Sequence, residues 1–379
     1  MNVLVLGCGL VGRPMAIDLA GEESFNVTVA DINKKNLDKI PKHLPIKKYQ
    51  KDLSNPELLK SLIKKCDIVL NAVPGFMGFN TLKEIIKAKK NVVDIAFFPE
   101  DPFELDELAK ENNVTAIVDC GVAPGMSNLL AGYVNSILDK TETILIYVGG
   151  LPVVREYPYE YKAGFSPIDV IEEYTRPARY VENGKMVVHP ALSDPELINF
   201  DEVGTLEAFN SDGLRTLAKT LNAPDMKEKT LRYPGHIDKI KVLRESGFFN
   251  QSEIEINGVK IRPVDFTSKL LFPLWELKEG DEEFTVMRII IEGEKDKKKV
   301  RYTYNLLDRH DIKTNIHSMA RTTGYTATSV VRMLAKGLFD QKGICPPEFI
   351  GQKPECVAFI LKELKERGVI YNQLIEKFG

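Results

Sequence analysis

The sequence lacks the features of a secreted, membrane-spanning or metal-binding protein. Its five cysteines are odd in number, far apart and never in CxxC spacing, which argues against a disulfide framework and against a structural zinc site. No apolar run approaches eighteen residues, and the opening MNVLVLG carries no basic segment typical of a secretion signal. We therefore expect a cytoplasmic protein with free thiols and no metal.

The chain also has no excess of positive charge. The 51 Lys and Arg residues stand against 54 Asp and Glu, and the net charge is −3, so neither nucleic acid nor an anionic membrane is expected as a partner. The length of 379 residues is too great for one ordinary core and fits two domains of roughly 150 residues or more. We expect a two-domain protein that binds a small molecule.

Strand-like and helix-like segments alternate through the first third of the chain. Parallel strands need long crossover connections, and strands that are buried on both faces read as near-continuous runs of Val, Ile and Leu. Six such runs are separated by helical segments of about ten residues: NVLVLG, NVTVAD, PIKKYQ, DIVLNAV, NVVDIAF and VTAIVD. The alternation predicts an α/β fold with a doubly wound parallel sheet.

Three glycines follow the first strand in the pattern GxGxxG. Gly7 permits a tight turn, Gly9 lets the backbone approach a pyrophosphate, and Gly12 lets helix and strand pack closely. Leu10 and Val11 lie between them, where a helix begins whose free N–H groups and positive dipole end favour phosphate. Close glycines also make ordinary turns, but the preceding strand and the following helix favour a dinucleotide site.

Asp31 indicates which dinucleotide is bound. It ends the second strand 19 residues after Gly12 (31 − 12), where a carboxylate can accept hydrogen bonds from the adenosine ribose and would repel a 2′-phosphate. The same residue could cap the helix of NKKNLDKI, and the nearby Lys34 and Lys35 leave strict selectivity open. We expect NAD as the cofactor, in preference to NADP.

Further candidate site residues follow the later strands. In an open parallel sheet, ligands bind beyond the carboxyl ends of the strands. An isolated Asp at a strand end often caps a turn instead, and this alternative stays open for both catalytic candidates. The cofactor candidates are Asp52, Asn71, Ala72, Val73 and Pro74, the catalytic candidates are Asp94 and Asp119, and Cys120 and Gly121 are candidates for substrate binding.

The pattern changes after residue 123. APGMSNLLAGYVNSIL reads as a crossover helix, and Asn257-Gly258 predicts a two-residue hairpin turn. The strand candidates that follow are ETILIYVGG, HIDKIKVL, FTVMRIIIEG and KKVRYTYNLL, and helical segments return from about residue 322. We predict a dinucleotide-binding domain of residues 1–123 and 322–379 and an α+β substrate and dimerisation domain of residues 124–321.

The second domain contains candidate anion binders and one candidate base. Arg176 and Arg179 lie in EEYTRPAR and Arg215 lies in SDGLR, and an arginine in such a loop can bind a carboxylate through two parallel hydrogen bonds. His236 follows YPG and could act as a general base. Most arginines only solvate a surface, and a structural histidine is as common as a catalytic one, so both alternatives stay open.

These motifs together carry a family resemblance. VLGCGLVG, DCGVAPGMSN, YVGGLP, EEYTRPAR, EAFNSDGLRTL, TLRYPGHIDKIKVL and ARTTGYTA occur in an order that resembles the saccharopine dehydrogenase superfamily, and within it the NAD-dependent L-lysine 6-dehydrogenases. The resemblance runs nearly the whole length, to the late GICPPE segment. It implies a Rossmann domain completed by C-terminal helices, an inserted α+β catalytic domain and a homodimer.

The resemblance also implies a reaction. L-lysine would lose its ε-amine by oxidation, giving 2-aminoadipate 6-semialdehyde that cyclises to piperideine carboxylate, with ammonia and NADH. Asp94 would orient or deprotonate the amine beside Asp119, Cys120-Gly121 would contact the substrate, and the three arginines are candidates for its carboxylate. The alternatives are an NADP-dependent saccharopine reductase or carboxynorspermidine synthase, and a catalytically silent NAD sensor.

Overall fold

The computed structural model describes residues 1–278 and 280–378, which divide into two compact units. The first unit comprises Met1–Ile137 and Met319–Ile370, and the second comprises Leu138–Ser318 and the segment from Tyr371 onward. Among the described residues, no helix is long and apolar enough to cross a lipid bilayer. Glu279 and Gly379, which the predicted domains include, lie outside the described residues.

The elements follow one another along the chain in this order. The strands are β1 Asn2–Leu6, β2 Asn26–Asp31, β3 Lys47–Gln50, β4 Ile68–Asn71, β5 Asn91–Asp94, β6 Thr115–Ile117, β7 Lys140–Pro152, β8 Ala178–Glu182, β9 Lys185–His189, β10 Glu196–Phe200, β11 Gly204–Asn210, β12 Asp225–Arg232, β13 Ile254–Ile256, β14 Val259–Ile261, β15 Glu283–Lys295, β16 Lys298–Arg309, β17 Gly343–Cys345 and β18 Tyr371–Phe378. The helices are α1 Gly12–Ala20, α2 Lys34–Asp38, α3 Pro56–Ile63, α4 Gly75–Lys87, α5 Asp106–Glu111, α6 Met126–Ile137, α7 Pro167–Thr175, α8 Leu217–Thr220, α9 His236–Glu245, α10 Pro263–Trp275, α11 Ser318–Ala335, α12 Pro347–Gly351 and α13 Pro354–Glu366, and a 3₁₀ helix covers Pro102–Leu105.

The first unit is built on a parallel sheet with the strand order β17-β6-β5-β4-β1-β2-β3. Residues 3–6 of β1 are at most 1% exposed, as expected of a strand that is covered on both faces. The chain runs outward from β1 to β3 on one side and from β4 to β6 on the other, so the carboxyl ends of β1 and β4 mark the point where the order reverses. Ligands bind at this point in doubly wound sheets. The predicted doubly wound sheet is confirmed.

Local sequence determines where the crossover helices of this unit begin. At α3, Asn55 accepts hydrogen bonds from the backbone N–H groups of Glu57 (3.0 Å) and Leu58 (3.3 Å), and Pro56 occupies the first helical position. The side chain of Asn55 satisfies two free donors of the helix start, and Pro56 has no N–H that would need a partner. The Asn-Pro pair therefore sets the end of the connection from β3.

The C-terminal helices belong to the first unit, as predicted. Helices α12 and α13, and all of α11 except its first residue Ser318, lie within Met319–Ile370, and β17 extends the parallel sheet beside β6. Asp18 of α1 binds Arg332 and Arg367 at 2.7 Å each. Because Arg332 is 3% exposed, this ion-pair network is largely shielded from water and holds the C-terminal helices against α1.

The second unit contains a mixed sheet with the order β10-β11-β12-β7-β15-β16-β18. Only β12 and β7 pair in parallel along this path, and the β8–β9 hairpin joins it at β12. Helices α7, α9 and α10 surround an aromatic core that includes Tyr161, Tyr174 and Trp275. The predicted α+β architecture is confirmed, and the Asn257-Gly258 turn joins β13 to β14.

One predicted strand is wrong. HIDKIKVL forms helix α9, in which Ile237 and Ile240 are buried and Val242 is 65% exposed. A separation of three residues between buried side chains is the spacing of one helix face. Gly235 precedes the helix with a φ of 85°, a conformation that ends the preceding strand and that glycine adopts readily.

The unit boundaries also differ from the predicted 1–123, 322–379 and 124–321. Helix α6 lies in the first unit because Gly132 packs so closely on the backbone of Glu348 that a Cβ there would collide with it. Strand β18 lies in the second unit because it pairs with β16, with Tyr371 opposite Leu306. Strand β18 thus pairs with an edge of β16 that would otherwise be open.

Candidate active site

The glycine-rich loop combines close packing with open space. A Cβ on Gly7, whose φ is 94°, would collide with the carbonyl of Ala72, and a Cβ on Gly12 would collide with the carbonyl of Gly7. A Cβ on Gly9 would meet nothing within 4 Å. Gly7 and Gly12 are therefore required by packing, whereas Gly9 leaves backbone exposed for a ligand. The loop ends at α1, whose first N–H groups favour phosphate, so these residues fit a dinucleotide.

The predicted cofactor residues after β4 lie beside this loop. The backbone N–H of Ala72 donates to Leu6 of β1 at 2.8 Å, Val73 is 4% exposed, and Pro74 directly precedes α4. Leu10 and Val11 occupy the turn into α1, and Leu10 is 38% exposed. The structure thus brings the predicted segments 7–12 and 71–74 together at the ends of β1 and β4.

Asp31 braces the glycine-rich loop. One carboxylate oxygen accepts from the backbone N–H of Cys8 at 2.7 Å and the other from that of Asn33 at 2.6 Å. Asn33 is the N-cap of α2, because its side chain accepts from the N–H of Lys35. The alternative that Asp31 caps this helix is therefore wrong. A carboxylate has about four acceptor positions, so Asp31 keeps capacity for further donors.

The remaining residues near the end of β2 and β3 are exposed. Lys34 pairs with Asp38 at 2.6 Å one helical turn away. The carboxylate of Asp52 accepts from the N–H and the hydroxyl of Ser54 at 2.9 and 2.7 Å, and these hydrogen bonds lower its pKa. Asp52 therefore holds the turn before α3, and its predicted cofactor role stays a prediction.

Asp94 joins the ends of three neighbouring strands. Its side chain is fully buried and accepts from the amide of Asn71 at 2.8 Å and from the backbone N–H of Ala96 at 2.7 Å, while its carbonyl accepts from the N–H of Cys120 at 2.9 Å. The other amide atom of Asn71, its Oδ1, is buried without a partner among the described residues. These contacts fix the orientation of the carboxylate, and whether Asp94 orients or deprotonates the amine stays a prediction.

Asp119 and Cys120 lie at the same edge of the sheet. Asp119 is buried with a φ of 52°, a left-handed conformation that Asp tolerates and that often marks functional loops. Burial raises the pKa of the Cys120 thiol, and the charges of Asp94 and Asp119 raise it further. Cys120 is therefore a neutral thiol, and it could contact a substrate only as a small uncharged group.

Gly121 belongs to a tight loop between β6 and α6. Its N–H donates to Pro124 at 3.0 Å, and a Cβ on Gly125 would collide with its backbone. A Cβ on Gly121 itself would lie 3.1 Å from the carbonyl of Pro124. The compact loop explains the glycines of the DCGVAPG motif, and the predicted role of Gly121 in substrate binding stays a prediction.

In the second unit, the three predicted arginines form one cluster with Asp212. Arg179 binds Asp212 through two parallel hydrogen bonds of 2.7 Å. Burial lowers the pKa of Arg176 and the charge of Arg215 lowers it further, whereas Glu172 and Asp212 oppose this shift. Arg215 is 7% exposed. We call Arg176, Arg179 and Arg215 the arginine cluster. Its neighbouring guanidinium groups would be stabilised by a bound anion.

His236 is a buried structural residue in this unit. Its Nδ1 donates to the carbonyl of Tyr159 at 2.8 Å, so its Nε2 accepts from the hydroxyl of Tyr174 at 3.0 Å. The same hydroxyl accepts from Arg232 at 3.2 Å. Burial lowers the pKa of His236 to about 3, and the charge of Arg232 contributes. The predicted role as general base does not fit this geometry, because both ring nitrogens are engaged and the ring is 1% exposed.

Sequence reasoning missed two carboxylates beside the arginine cluster. Asp212 lies within the SDGLR segment between two small residues, a pattern typical of turns that hold a side chain in place. Glu228 lies in β12 and is 3% exposed. Its flanking lysines, Lys227 and Lys229, make the segment look solvent-exposed, so no signal in the sequence pointed to it.

Family profiles cover both halves of the chain. Residues 3–117 match a profile described as the saccharopine dehydrogenase NADP binding domain, and residues 121–369 match the saccharopine dehydrogenase C-terminal domain. The chain belongs to the saccharopine dehydrogenase family. Its first unit carries the nucleotide-binding domain of that family, in agreement with the glycine-rich loop.

Several relatives are similar over different parts of their length. The bovine mitochondrial alpha-aminoadipic semialdehyde synthase is 22% identical over 98% of this chain and 47% of its own length. The NADP(+), L-glutamate-forming saccharopine dehydrogenase of Pyricularia oryzae is 29% identical over 66% of this chain and 59% of its own. The chain thus spans about half the length of these relatives. Carboxyaminopropylagmatine dehydrogenase of Synechocystis is 23% identical over 99% of this chain and 98% of its own length.

A solved structure supports the fold. The apo L-Glu-forming saccharopine dehydrogenase of Saccharomyces cerevisiae covers the whole of both chains with a TM-score of 0.79 and 21% sequence identity. At this identity the likeness establishes the fold. The predicted fold class is therefore confirmed, and the family profiles confirm the predicted superfamily.

Proposed function

We propose that this chain is an NAD-dependent oxidoreductase that removes the ε-amino group of L-lysine. The products are 2-aminoadipate 6-semialdehyde, which cyclises to piperideine carboxylate, and ammonia and NADH. The observation that carries the proposal is the position of Asp31, which ends β2 with its carboxylate 2.7 Å from the backbone of the glycine-rich loop. The choice of lysine rests on the sequence motifs of the second half, and in particular on EEYTRPAR and SDGLR.

Asp31 supports NAD on electrostatic grounds. A carboxylate at the end of β2 accepts hydrogen bonds from both hydroxyl groups of the adenosine ribose. An NADP molecule would place a phosphate of charge about −1.5 to −2 against the same carboxylate. The relatives whose names give a cofactor are NADP(+) enzymes. We propose NAD for this chain because of the negative charge of Asp31.

The first unit would hold the cofactor through its loop and the following strand ends. Gly9 and the N-terminal N–H groups of α1 would bind the pyrophosphate, and residues 71–74 would lie along the nicotinamide half. When bound, NAD accepts a hydride from the carbon that carries the amine. Asn71, whose Oδ1 lacks a partner among the described residues, would accept a hydrogen bond from an N–H of a bound ligand.

The carboxylates after β5 and β6, Asp94 and Asp119, would act on the ε-amine of the substrate. The ε-ammonium must lose a proton before hydride leaves, and water must then attack the resulting imine. We propose that Asp94 orients this region through Asn71 and Cys120, with Asp119 beside it. Asp94→Asn should reduce turnover about a hundredfold or more. It should change NAD affinity far less, because the glycine-rich loop and Asp31 would still hold the adenosine and pyrophosphate half of NAD.

The arginine cluster would bind the carboxylate of the amino acid. The charge of Arg215 lowers the pKa of Arg176, and an anion between such groups relieves that repulsion. Arg179 is already bound to Asp212 through both oxygens and would contribute charge. A homodimer and a cytoplasmic location, both expected from the sequence, remain predictions.

Product stoichiometry tests the proposed reaction. The protein is incubated with L-lysine and NAD, and free ammonia is quantified alongside NADH. Equal amounts of ammonia and NADH are expected. Formation of NADH without an equal amount of ammonia would contradict the deamination.

A second candidate is a dehydrogenase that forms or cleaves a secondary amine with NADP. It is favoured by the carboxyaminopropylagmatine dehydrogenase of Synechocystis, which matches this chain over 98% of its own length. This candidate predicts turnover of a secondary amine with NADP and none of free L-lysine. The two functions thus differ in cofactor and in the release of ammonia.

A further inference from the structure

The carboxyl group of Glu228 is buried in the second unit, beside the segment that carries Asp212. Its Oε2 accepts from the hydroxyl of Ser211 at 2.7 Å, and that hydroxyl lies 2.8 Å from the hydroxyl of Thr230. The backbone N–H of Gly213 also donates to it. The two donors are the first and last residues of the segment 211–213, so one carboxyl group holds both ends of this segment.

The packing around Gly213 is equally close. A Cβ on Gly213 would overlap the carboxyl group of Glu228, so any other residue at this position would displace that side chain. Between the two held residues, Asp212 binds Arg179 through two hydrogen bonds of 2.7 Å. The position of Glu228 therefore fixes the backbone that presents Asp212 to the arginine cluster.

The charged surroundings of Glu228 favour its neutral form. Burial raises its pKa to about 8, the charges of Glu173 and Asp212 add to the shift, and the hydrogen bonds from Ser211 and Gly213 oppose it. The groups around it are Ser211 and Asp212 from the loop after β11, Thr230 of its own strand, and Glu173 from α7, which itself pairs with Arg232 at 2.8 Å. Its strand neighbours point to the other face of the sheet, where Lys229 pairs with Glu196 at 2.7 Å.

We propose that Glu228 is a positioning residue for the arginine cluster: its carboxyl group holds segment 211–213, so that Asp212 fixes Arg179 within a cluster that binds a carboxylate. Loss of the proton places a second negative charge next to Asp212. This charge opposes the binding of an anion by the cluster and repels Asp212. The inference rests on the proposed role of the cluster in carboxylate binding.

Binding of hexanoate at different pH values tests this inference. Hexanoate has a carboxylate and no amine, so its own charge does not change in the alkaline range. Its dissociation constant is measured by titration calorimetry on the full chain and on the variants Glu228→Gln and Glu196→Gln. In the unchanged protein the affinity should fall about four- to tenfold between about pH 7 and pH 9.5, from one extra charge at a partly screened distance. Glu228→Gln should vary less than about twofold over this range.

The variants Glu196→Gln and Ser211→Ala make the test specific. Glu196→Gln removes a carboxylate from the opposite face of the same sheet, and its affinity should follow the unchanged protein. Ser211→Ala removes one hydrogen bond that lowers the pKa of Glu228, so the fall in affinity should move to higher pH. A residue that served packing alone would not move this pH profile. Trp275 fluorescence verifies that each variant is folded, since this residue is fully buried in the same unit.

Failure of the inference can be separated from failure of the proposed function. A pH-dependent affinity that Glu228→Gln retains, a flat profile in the unchanged protein, or no hexanoate binding at any pH would overturn the inference, even if lysine is oxidised. The expected profiles without oxidation of lysine would support the inference and contradict the proposed function.

Discussion

Replacing Glu228 by Gln should stabilise the second unit at alkaline pH relative to acid pH. Glu228 has its pKa raised from 4.5 to about 8, chiefly by burial. Below pH 4.5 the carboxyl is protonated in both the folded and the unfolded chain, so pH has no effect through this group. Between 4.5 and about 8 the folded chain holds a proton that the unfolded chain has released, so stability falls as pH rises. Gln cannot ionise, so the variant does not lose stability in this way as the pH rises.

The magnitude follows from the same interval. A difference of one pH unit between the folded and unfolded pKa corresponds to about 1.4 kcal/mol, so the interval from 4.5 to about 8 gives an upper limit of about 5 kcal/mol. Relaxation of the folded state at high pH reduces this figure, and we expect a gain of about 2 to 4 kcal/mol for Glu228→Gln between about pH 5 and pH 9.

Denaturant unfolding followed by tryptophan fluorescence measures this difference. Trp275 is the single tryptophan of the chain and is fully buried in the second unit, so its emission reports the unit that contains Glu228. Unfolding free energies are compared for the two proteins at each pH, with Glu196→Gln as a control. A difference between Glu228→Gln and the unchanged protein that varies by less than about 0.5 kcal/mol across this range would refute the assignment of a buried proton.

Three other predictions concern the site residues. Asp31→Asn should raise the KM for NAD about tenfold or more and reduce the preference for NAD over NADP, because an amide cannot accept hydrogen bonds from both Cys8 and Asn33. Initial rates with each cofactor measure this preference. An unchanged ratio of kcat/KM for NAD and NADP would contradict the role of Asp31 in cofactor choice. His236→Gln should lower the unfolding free energy by about 1 to 3 kcal/mol without changing the pH profile of turnover, whereas loss of the acidic limb of that profile would show that His236 acts as a base. The five buried thiols, Cys120 included, should resist a thiol reagent at about pH 8 until the chain unfolds, and rapid labelling of the folded protein would contradict their burial.

The fold of the first unit could be predicted closely because the sequence patterns that specify it are local. Buried parallel strands read as apolar runs, and the glycine pattern sits where the sheet requires it, with Gly7 and Gly12 both constrained by the neighbouring backbone. The segment HIDKIKVL was harder to interpret. Its apolar residues fit a strand or a helix equally well, and only burial of Ile237 and Ile240 against the second-unit core selects the helix.

Candidate residues for the site could be read from the sequence, but the contacts between them could not. Arg176, Arg179 and Arg215 were each plausible anion binders, but tertiary packing alone brings them together. His236 looked catalytic because its burial between Tyr159 and Tyr174 is invisible in the sequence. Glu228 escaped notice because a Lys-Glu-Lys run in a strand gives no sign of which side chain faces the core.

The most direct test of the account is absorbance at 340 nm, with L-lysine and saccharopine each offered with NAD and with NADP. The account predicts NADH formation from L-lysine with NAD, and much slower reduction of NADP. Turnover confined to saccharopine with NADP would contradict it and favour the secondary-amine function. No turnover with any pair, despite tight NAD binding, would contradict it in favour of a dinucleotide sensor.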